Sequence, residues 1–508
     1  MTAAELSLAR WLPERAALTP DRTAIDFGGG RISYAQLAGD AARWAASFAA
    51  AGLRPGDRVA SLTRNCPQQV AVFFACAMSG LVLVPLNWRL TAPELAYQLG
   101  DAEPALLLTE PELAELGTRA SELAAFDNAT ARMASLTDPP AVLDAGNLPP
   151  EADAVTGDDP LLILYTSGTT GRPKGAVLTH ANCFWTNVSL DRTAEVNGGD
   201  VVLQVLPQCH VGGWNVQPLL AWWKGATVIL EQAFDAERVL ALIEREKVTT
   251  MMGVPTNYLM LAEQPGFATA DLSSLRQVIV GGAPMPRPLL DVWLSRGVTV
   301  LQGYGLTEAA PNVLCVPAEY ATAKTGSAGR PYLHVRVALR DLVGGGLVEG
   351  AGTGELLVAG PNVFAGYWRN PQATKGALDG GWLATGDIAE RDADGFYWIR
   401  GRSKDMYISG GENVYPAEVE EVLVGHESVT EAAVVGVPDP RWGETGFAFV
   451  VLRPGCDVAS AGLAAHCRDR LARYKVPAHF RFVTELPKLT SGKLDKVSLR
   501  EQLGKSPS

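Results

Sequence analysis

Short apolar runs alternate with amphipathic stretches along most of the chain. Ser33 followed by Gln36 is a capping-box pattern at the start of an alanine-rich helix, and Gly52 is a typical residue to end that helix. The apolar runs predict buried strands, and stretches such as 236–246 predict helices between some of them. The predicted strands cover residues 81–86, 161–165, 201–206, 228–230 and 278–280. This alternation predicts α/β layers.

The most apolar stretch runs from residue 70 to residue 86. Ser79 and Gly80 interrupt it, and a membrane span needs about 20 predominantly apolar residues. We therefore predict a buried helix followed by a strand, and no stable membrane span. Residues 127–160 are rich in proline and lack periodicity, which predicts a long surface connection.

The pattern changes near residue 400, where a compact unit of about a hundred residues begins. Its predicted elements are a helix from Pro416 with Val419, Val422 and Leu423 on one face, strands over 432–437 and 447–452, and a helix over 462–474. We predict an α/β fold in two parts. A large N-terminal α/β domain of several subdomains covers residues 1–402, and a small mobile C-terminal α+β lid domain covers residues 403–508.

Composition and charge exclude some classes of function. The 508 residues are 47% hydrophobic and 19% charged, which is typical of a folded protein. The formal net charge of -12 argues against nonspecific binding of nucleic acid, which needs a basic face. Seven scattered cysteines without a CxxC spacing disfavour a zinc site or a disulfide framework. Because the N-terminus also lacks a signal-peptide pattern, we expect a cytoplasmic protein with reduced thiols, and we leave open whether it forms a homodimer.

The segment from Tyr165 to Gly175 reads YTSGTTGRPKG and directly follows a predicted buried strand. Its glycines allow a tight turn with N–H groups inward, its hydroxyls can donate to phosphate oxygens, and Lys174 adds a positive charge. The candidate phosphate ligands are Thr166, Ser167, Gly168, Thr169, Thr170, Gly171 and Lys174. The segment lacks the GxxxxGK[ST] pattern of a Walker A loop. Taken by itself, it is also compatible with a surface hairpin rich in glycine and threonine.

This segment resembles the signature loop of the adenylate-forming superfamily, which contains acyl- and aryl-CoA synthetases, firefly luciferase and the adenylation domains of nonribosomal peptide synthetases. Further segments resemble the motifs of that superfamily in the same order, so the resemblance covers nearly the whole chain. They are GGAP at 281–284, QGYGLTE at 302–308, WLATGD at 382–387, GRSKD at 401–405 and PKLTSGKLDK at 487–496. The resemblance implies ATP and Mg²⁺ as cofactors and coenzyme A as a co-substrate.

The resemblance also implies roles for individual residues. The nucleotide-binding candidates are Gly282, Ala283, Gly303 and Tyr304 at the adenine, Thr307 at the α-phosphate, Glu308 at Mg²⁺, and Asp387 and Arg402 at the ribose or phosphate. Lys493 is implied as the adenylation lysine, and Lys404 as a hinge residue where other members have Asp. Gly411 is implied in the passage of the pantetheine arm of coenzyme A. Arg473 and Lys475 are implied at its phosphates, with ordinary surface charges as the alternative.

The acid site is implied by the segment 207–215, PQCHVGGWN, which resembles the acyl-site motif of the superfamily. His210 is expected to gate the pocket or orient the carboxylate, and Cys209 replaces the apolar residue often found before it. The candidate pocket wall is His210, Trp214, Asn215, Asn257, Gly282, Gly305, Leu306 and Ala310. No Lys or Arg lies in these segments to pair a second carboxylate, which favours a monocarboxylic acid. Chain length and aromatic or aliphatic character stay open.

The chemistry that the resemblance implies is an acid–thiol ligase reaction. A carboxylic acid attacks the α-phosphate of ATP, pyrophosphate leaves, and the acyl adenylate is passed to coenzyme A. The expected catalytic set is Lys493, Thr307, Glu308, His210 and Lys174. Three alternatives stay open: a carrier-protein thiol or an amine as acceptor, oxidation of the adenylate, or activation of a nonstandard oxyacid. A nonenzymatic nucleotide sensor would be expected to lack at least one of the residues implied in the chemistry. This alternative is disfavoured, because the sequence contains all four of them: Lys174, Glu308, Asp387 and Lys493.

Overall fold

The computed structural model of the chain describes residues 2–124, 132–136, 154–166, 172–409, 412–440, 442–488 and 494–504. In chain order, the strands are β1 Thr23–Phe27, β2 Gly30–Ser33, β3 Arg58–Leu62, β4 Val82–Leu86, β5 Leu106–Thr109, β6 Arg132–Ser135, β7 Pro160–Thr166, β8 Lys174–Thr179, β9 Val201–Gln204, β10 Thr227–Leu230, β11 Thr250–Gly253, β12 Gln277–Val280, β13 Thr299–Gly305, β14 Asn312–Cys315, β15 Arg330–Pro331, β16 Arg336–Arg340, β17 Gly352–Ala359, β18 Gly366–Tyr367, β19 Leu378–Asp379, β20 Trp382–Arg391, β21 Tyr397–Arg402, β22 Tyr407–Ser409, β23 Glu412–Val414, β24 Val429–Asp439, β25 Gly443–Leu452 and β26 His479–Phe482. The helices are α1 Trp11–Leu18, α2 Tyr34–Ala50, α3 Pro67–Ser79, α4 Ala92–Ala102, α5 Ala114–Ala124, α6 His180–Ala194, α7 Gly212–Asn215, α8 Pro218–Lys224, α9 Ala236–Arg245, α10 Pro255–Ala262, α11 Arg287–Ser295, α12 Pro371–Ala377, α13 Pro416–Val424, α14 Ser460–Arg468 and α15 Lys496–Gly504.

Two large sheets form most of the N-terminal part. The strand order of the first is β15-β14-β13-β12-β11-β9-β10-β1-β2, parallel from β13 to β1 and antiparallel at both edges. The order of the second is β18-β8-β7-β4-β3-β5-β6, with parallel pairing from β7 to β6 and an antiparallel hairpin of β7 and β8. Parallel strands need crossover connections, which are mostly helical here, so the predicted α/β layers are confirmed.

The main core lies between these two sheets, where helices from both meet. Phe73 of α3 stacks on Trp214 of α7 with 4.7 Å between ring centroids, and Phe74 meets Trp222 of α8 edge to face. The apolar stretch from residue 70 is accordingly a buried helix, ended by Gly80 in a left-handed conformation and followed by β4. Within the described residues, no helix is long and apolar enough to cross a membrane.

Two smaller antiparallel sheets follow. The third sheet has the order β16-β17-β20-β19 with β21 on the edge of β20, and the fourth has the order β23-β22-β25-β24 with β26 parallel to β25. The fourth sheet packs on α13 and α14 through a separate small core. The chain passes from the third sheet to the fourth at the turn Ser403–Asp405. A large N-terminal and a small C-terminal α+β domain are thus present, while the boundary at residues 402 and 403 and the mobility of the small domain stay predictions.

Several predicted elements form as expected. The hydroxyl of Ser33 accepts from the N–H of Gln36 at 3.2 Å, and the side chain of Gln36 accepts from the N–H of Ser33 at 2.8 Å, which completes the capping box. The predicted strands 81–86, 161–165, 228–230 and 278–280 and the helix from Pro416 are also present.

Two predictions were wrong. Arg132–Ser135 is not part of a surface connection but an edge strand parallel to β5; most of the other residues in 127–160 lie outside the described ranges. The predicted helix 462–474 ends at Arg468, because Leu463 and Cys467 are its buried anchors and the chain turns directly after them. Arg473–Lys475 then forms a separate 3₁₀ turn.

Candidate active site

The described ends of the signature segment lie on the paired strands β7 and β8. Thr166 and Lys174 are paired across the two strands, so the hairpin fixes both ends of the loop between them. The predicted phosphate ligands Ser167, Gly168, Thr169, Thr170 and Gly171 lie outside the described residues. Thr166 is half-buried, and its hydroxyl lies 3.4 Å from Oε1 of Glu308. The loop ends therefore lie directly beside the QGYGLTE segment.

That second segment is the end of β13 and the 3₁₀ turn Thr307–Ala309. A Cβ on Gly305 would collide with the carbonyl oxygen of Pro311, and the N–H of Leu306 donates to that same oxygen at 3.1 Å. The tight return of the chain therefore requires glycine at position 305. The turn places half-buried Glu308 against the β7–β8 hairpin, and Thr307, which precedes it, is also half-buried.

Glu308 receives two hydrogen bonds on the same oxygen. The phenol of Tyr367 donates to Oε1 at 2.8 Å, in addition to the longer contact from Thr166. Among the described residues, none forms an ion pair with this carboxylate. Burial, and then the charge of Glu308, raise the pKa of Tyr367, so that phenol keeps its proton at neutral pH. The Nζ atom of Lys174 lies 5.1 Å from the centre of the Tyr367 ring.

The second carboxylate, Asp387, is buried and lies beside Arg402 because β20 and β21 pair these two residues directly. Its Oδ1 is 2.6 Å from Nε of Arg402, and its Oδ2 accepts from the phenol of Tyr304 at 2.5 Å. Burial, and then the charge of Asp387, raise the pKa of Tyr304, which therefore also stays protonated. The structure thus brings together three predicted nucleotide residues from three separate segments.

The two glycine-bearing loops near Tyr304 also lie side by side. β12 and β13 are parallel neighbours with Val280 opposite Gln302, so the segments that follow them leave the sheet at the same edge. A Cβ on Gly281 would lie 3.5 Å from the carbonyl oxygen of Gly303. Gly282 and Ala283 are exposed, and Gly303 is half-buried. These three adenine candidates therefore border the site that holds Tyr304.

Two of the candidate pocket residues, Trp214 and Asn215, are packed in the protein core. Trp214 is completely buried, stacks on Phe73 and donates its indole N–H to the carbonyl of Gln208 at 2.6 Å. Asn215 is also completely buried and is bonded to Asn187 and Cys183. These two side chains are core, because the four-residue helix α7 turns its polar Asn inward onto α6. Neither side chain has solvent-accessible surface, and their assignment to the pocket wall stays a prediction.

The remaining pocket candidates differ in exposure. Ala310 is completely buried and precedes Pro311, while His210, Gly305 and Leu306 are half-buried. The side chain of half-buried Asn257 accepts from the N–H of Val254 at 3.0 Å, so one of its polar atoms caps α10. Their roles as pocket wall stay predictions.

Arg89 is a cation near this site that the sequence analysis did not identify. Burial raises the pKa of the Cys209 thiol to about 12, and the nearby positive charge of Arg89 opposes that rise. The thiol is therefore protonated at neutral pH and is not a nucleophile. Arg89 lies more than a hundred residues before His210, so a search of the local segments for cations could not find it.

The lid candidates have mixed surroundings. Lys404 is exposed in the turn between the third and fourth sheets, and Arg473 is exposed in its own 3₁₀ turn. Lys475 contacts both oxygens of Glu418 at 2.7 and 2.8 Å, so its charge is already compensated within the small domain. Gly411 and Lys493 lie outside the described residues.

The donor set at Glu308 fits a magnesium ion. Within the described ranges, no cluster of three or more His, Cys, Asp or Glu side chains is arranged to hold a metal. Mg²⁺ does not need one, because it usually binds one or two carboxylates together with substrate phosphates and water. A half-buried carboxylate without an ion pair, flanked by hydroxyl oxygens, supplies the hard oxygen ligands that this ion prefers.

Known proteins match the chain along nearly its whole length. The AMP-binding enzyme family matches residues 12–368, and the AMP-binding enzyme C-terminal domain matches residues 418–493. A feruloyl-CoA synthase of an Amycolatopsis species is 44% identical over 497 residues, with 98% of this chain and 99% of that protein covered. The indoleacetate–CoA ligase of Aromatoleum aromaticum is 39% identical, with 98% of each chain covered. The crystal structure of ATP-bound MatB from Rhodopseudomonas palustris is similar with a TM-score of 0.90, 32% identity and 99% of both chains covered.

Proposed function

The chain belongs to the family of AMP-binding enzymes, and we propose that its acid substrate is an aromatic carboxylic acid. The enzyme is an AMP-forming acid–thiol ligase. It joins a carboxylic acid to ATP as an acyl adenylate, releases pyrophosphate, and transfers the acyl group to coenzyme A. The observation that best supports a role for this site in that reaction is the contact network that joins Thr166 to Glu308 and Tyr304 to Asp387 and Arg402.

The nucleotide roles follow from the two ends of this network. At one end, the carboxylate of Asp387 accepts hydrogen bonds and is held by Arg402 and Tyr304, which suits it to bind ribose hydroxyls. At the other end, Lys174, Thr166 and Thr307 are proposed to bind the phosphates together with the loop that joins β7 and β8. Mg²⁺ bound at Glu308 would neutralise phosphate charge during the displacement, which depends more on positioning and electrostatics than on covalent help from the protein.

Lys493 is proposed to place its positive charge between the incoming carboxylate and the α-phosphate. Two unit charges of like sign at 4 Å repel by about 4 kcal/mol at an effective dielectric of about 20, so a cation there lowers the barrier. For the thioester step we propose that the small domain rotates at Lys404 and withdraws Lys493. Gly411 would then line the thiol path, with Arg473 at the phosphates of coenzyme A. Lys475 could join it only by giving up its pair with Glu418.

The proposed substrate class depends on the relatives. Feruloyl-CoA synthase and indoleacetate–CoA ligase are named for acids that carry an aromatic ring, and they cover nearly the whole chain. Leu306, Gly305 and His210 are each half-buried and so keep some surface that a ligand could contact, in agreement with a mainly apolar pocket that has few polar groups. The described cysteines are free thiols, which supports our proposal of a reducing, cytoplasmic location.

A panel of acids tests the substrate proposal. Purified enzyme is incubated with ATP, Mg²⁺ and ferulate, indoleacetate or straight-chain fatty acids, while pyrophosphate release is measured and the CoA thioester is detected by mass spectrometry. We expect kcat/KM at least about tenfold higher for an aromatic acid than for a chain of similar size, since a few lost apolar contacts cost that much. A preference for straight chains would overturn the substrate proposal without affecting the reaction class. Adenylate that accumulates in the presence of coenzyme A would indicate another acceptor.

The role of Lys493 needs a separate comparison of the two half-reactions. Lys493→Ala should lower adenylate formation by about 100-fold or more, the usual cost of removing one transition-state donor. Thioester formation from a supplied adenylate should change much less, because the lysine is withdrawn in that step. Equal losses in both half-reactions would contradict the proposed role.

A further inference from the structure

Tyr367 lies between two charged groups of the site, although no motif led to it. It belongs to β18, the short edge strand that pairs antiparallel with β8, and it stands opposite Ala176, two residues from Lys174. Its phenol oxygen lies 2.8 Å from Oε1 of Glu308, and its ring centre lies 5.1 Å from Nζ of Lys174. One side chain therefore contacts both an anion and a cation of the nucleotide site.

The phenol restricts the orientation of the Glu308 carboxylate. Tyr367 and Thr166 both donate to Oε1, whereas none of the described residues hydrogen-bonds to Oε2. A carboxylate held by one oxygen in this way presents its other oxygen in a fixed direction. Partners of this kind, which bind a metal-ligating side chain rather than the metal, orient the ligand and tune its affinity.

The position of Tyr367 is itself fixed by the surrounding chain. Its N–H donates to the hydroxyl of Thr374 at 2.9 Å, and its ring meets Phe364 edge to face with 4.9 Å between centroids. A Cβ on the preceding Gly366 would contact the Thr374 side chain closely, so glycine is needed for this approach. The backbone of Tyr367 is thus anchored on α12, outside the nucleotide site.

We propose that Tyr367 is a positioning residue that orients Glu308 for Mg²⁺ and supports the Lys174 ammonium with its ring. Losing the hydroxyl should weaken the metal's contribution to ATP binding. Losing the ring as well should also weaken the binding of metal-free ATP, because the ring face attracts the cation beside it. This inference depends on the proposed role of Glu308 as the Mg²⁺ ligand.

Calorimetric titration of the full chain with ATP, in excess Mg²⁺ and again in excess EDTA, tests the proposal. The ratio of the two dissociation constants gives the contribution of the metal without any turnover. For Tyr367→Phe we expect this ratio to fall by about tenfold, the lower end of the usual cost of losing such an outer partner. The affinity for metal-free ATP should stay within about twofold, because the ring remains under Lys174. For Tyr367→Leu that affinity should fall as well.

Two further variants separate positioning from general damage. Tyr34→Phe removes a phenol hydrogen bond outside the site, to the carbonyl of Ala226 at 2.6 Å, and should leave the ratio unchanged. In the background of Glu308→Gln, adding Tyr367→Phe should cause no further loss, since both act through the same carboxylate.

Three results would overturn the inference. A Tyr367→Phe ratio equal to that of the wild type would do so, as would additive losses in the double variant or an equal effect of Tyr34→Phe. A wild-type enzyme that binds ATP equally with and without Mg²⁺ would remove the proposed metal role of Glu308 and this inference with it. If instead the wild type depends on Mg²⁺ and the Tyr367→Phe variant has the same ratio, only this inference is overturned and the metal role of Glu308 is kept.

Discussion

Asp387 and Glu308 are the two carboxylates of the candidate site, and they differ in burial and in the charge around them. Asp387 is 5% exposed, and each of its oxygens has a partner, Arg402 on one and Tyr304 on the other. Glu308 is half-buried, and its two hydrogen bonds come from neutral hydroxyls on one oxygen. Asp387 is thus in direct contact with a cation, whereas Glu308 has no direct ion pair among the described residues and is separated from Lys174 by the ring of Tyr367.

This difference indicates which ligand each carboxylate suits. A compensated carboxylate can still accept hydrogen bonds from neutral groups such as ribose hydroxyls, but attracts cations weakly. A carboxylate without a cationic partner keeps its full charge for a metal ion. Two acidic residues that look alike in the sequence therefore receive different roles from their neighbours.

Among the variants that test this difference, Glu308→Gln should have the largest effect on activity. The amide keeps the size of the side chain and can still accept from Tyr367, but it cannot offer a charged ligand to Mg²⁺. We expect adenylate formation, measured by exchange of pyrophosphate into ATP at saturating substrates, to fall by about 10²–10³-fold. A loss below tenfold would show that the charge of Glu308 is not needed.

Asp387→Asn should mainly raise the KM for ATP. Because Asn keeps one carbonyl oxygen as an acceptor, the loss of one charge-assisted hydrogen bond to the ribose should raise it by about 10- to 100-fold, while the benefit of Mg²⁺ stays as in the wild type. Glu390→Gln is the matched control, because Glu390 pairs with Arg400 across the same two strands, outside the site. If Asp387→Asn instead abolished the Mg²⁺ effect, the assigned roles of the two carboxylates would be wrong.

Activity in acid can also be lost because the protein unfolds, and the buried side chain of His180 provides a test of that cause. Burial lowers the pKa of this completely buried side chain to about 4, Asp159 opposes that effect, and Nδ1 accepts from the N–H of Leu8 at 3.1 Å. In the unfolded chain the pKa of histidine is about 6.5. The stabilisation of the folded state by neutral His180 is therefore complete above about pH 6.5 and is lost as the pH falls toward 4.

Denaturant unfolding at pH 7 and pH 5 measures this effect. Because of His180, we expect the free energy of unfolding of the wild type to be about 2 kcal/mol lower at pH 5 than at pH 7. His180→Gln should remove that part of the pH dependence, with lower stability at pH 7. An unchanged pH dependence in His180→Gln would assign the acid sensitivity to other groups.

Tyr304→Phe should have the smallest effect. The ring remains available for adenine, and only the hydrogen bond to Asp387 is lost. We expect the KM for ATP to rise by only about three- to tenfold with kcat nearly unchanged, less than for a lost hydrogen bond to ATP itself, because the bond from Tyr304 to Asp387 lies within the protein. Steady-state kinetics over a range of ATP concentrations measure it. A large fall in kcat would show that Tyr304 acts in the chemical step rather than in sugar binding.

Part of the fold and of the site could be predicted from the chain alone. Apolar runs predicted several strands of the two large sheets, and the capping pair Ser33 and Gln36 predicted a helix start, because these signals depend on near neighbours. The edge strand Arg132–Ser135 was missed, because its sequence RMAS is not an apolar run. The burial of Trp214 and Asn215 depends on tertiary packing, because contacts with α3 and α6 decide which side chains of the four-residue helix α7 are buried.

By itself, the sequence determined which residues were available for the chemistry and in what order. The glycines, hydroxyls and lysine of the 165–175 segment indicated Thr166 and Lys174, and the resemblance to the adenylate-forming superfamily implied Tyr304, Glu308, Asp387 and Arg402. Only the tertiary structure decided that Arg402 neutralises Asp387, that Tyr367 holds Glu308, and that Arg89 lies near Cys209. The physical reason is that the ligand preference of a charged side chain depends on its burial and on its nearest charges. Those neighbours come from strands and loops that are distant in the chain and meet only in the folded sheets.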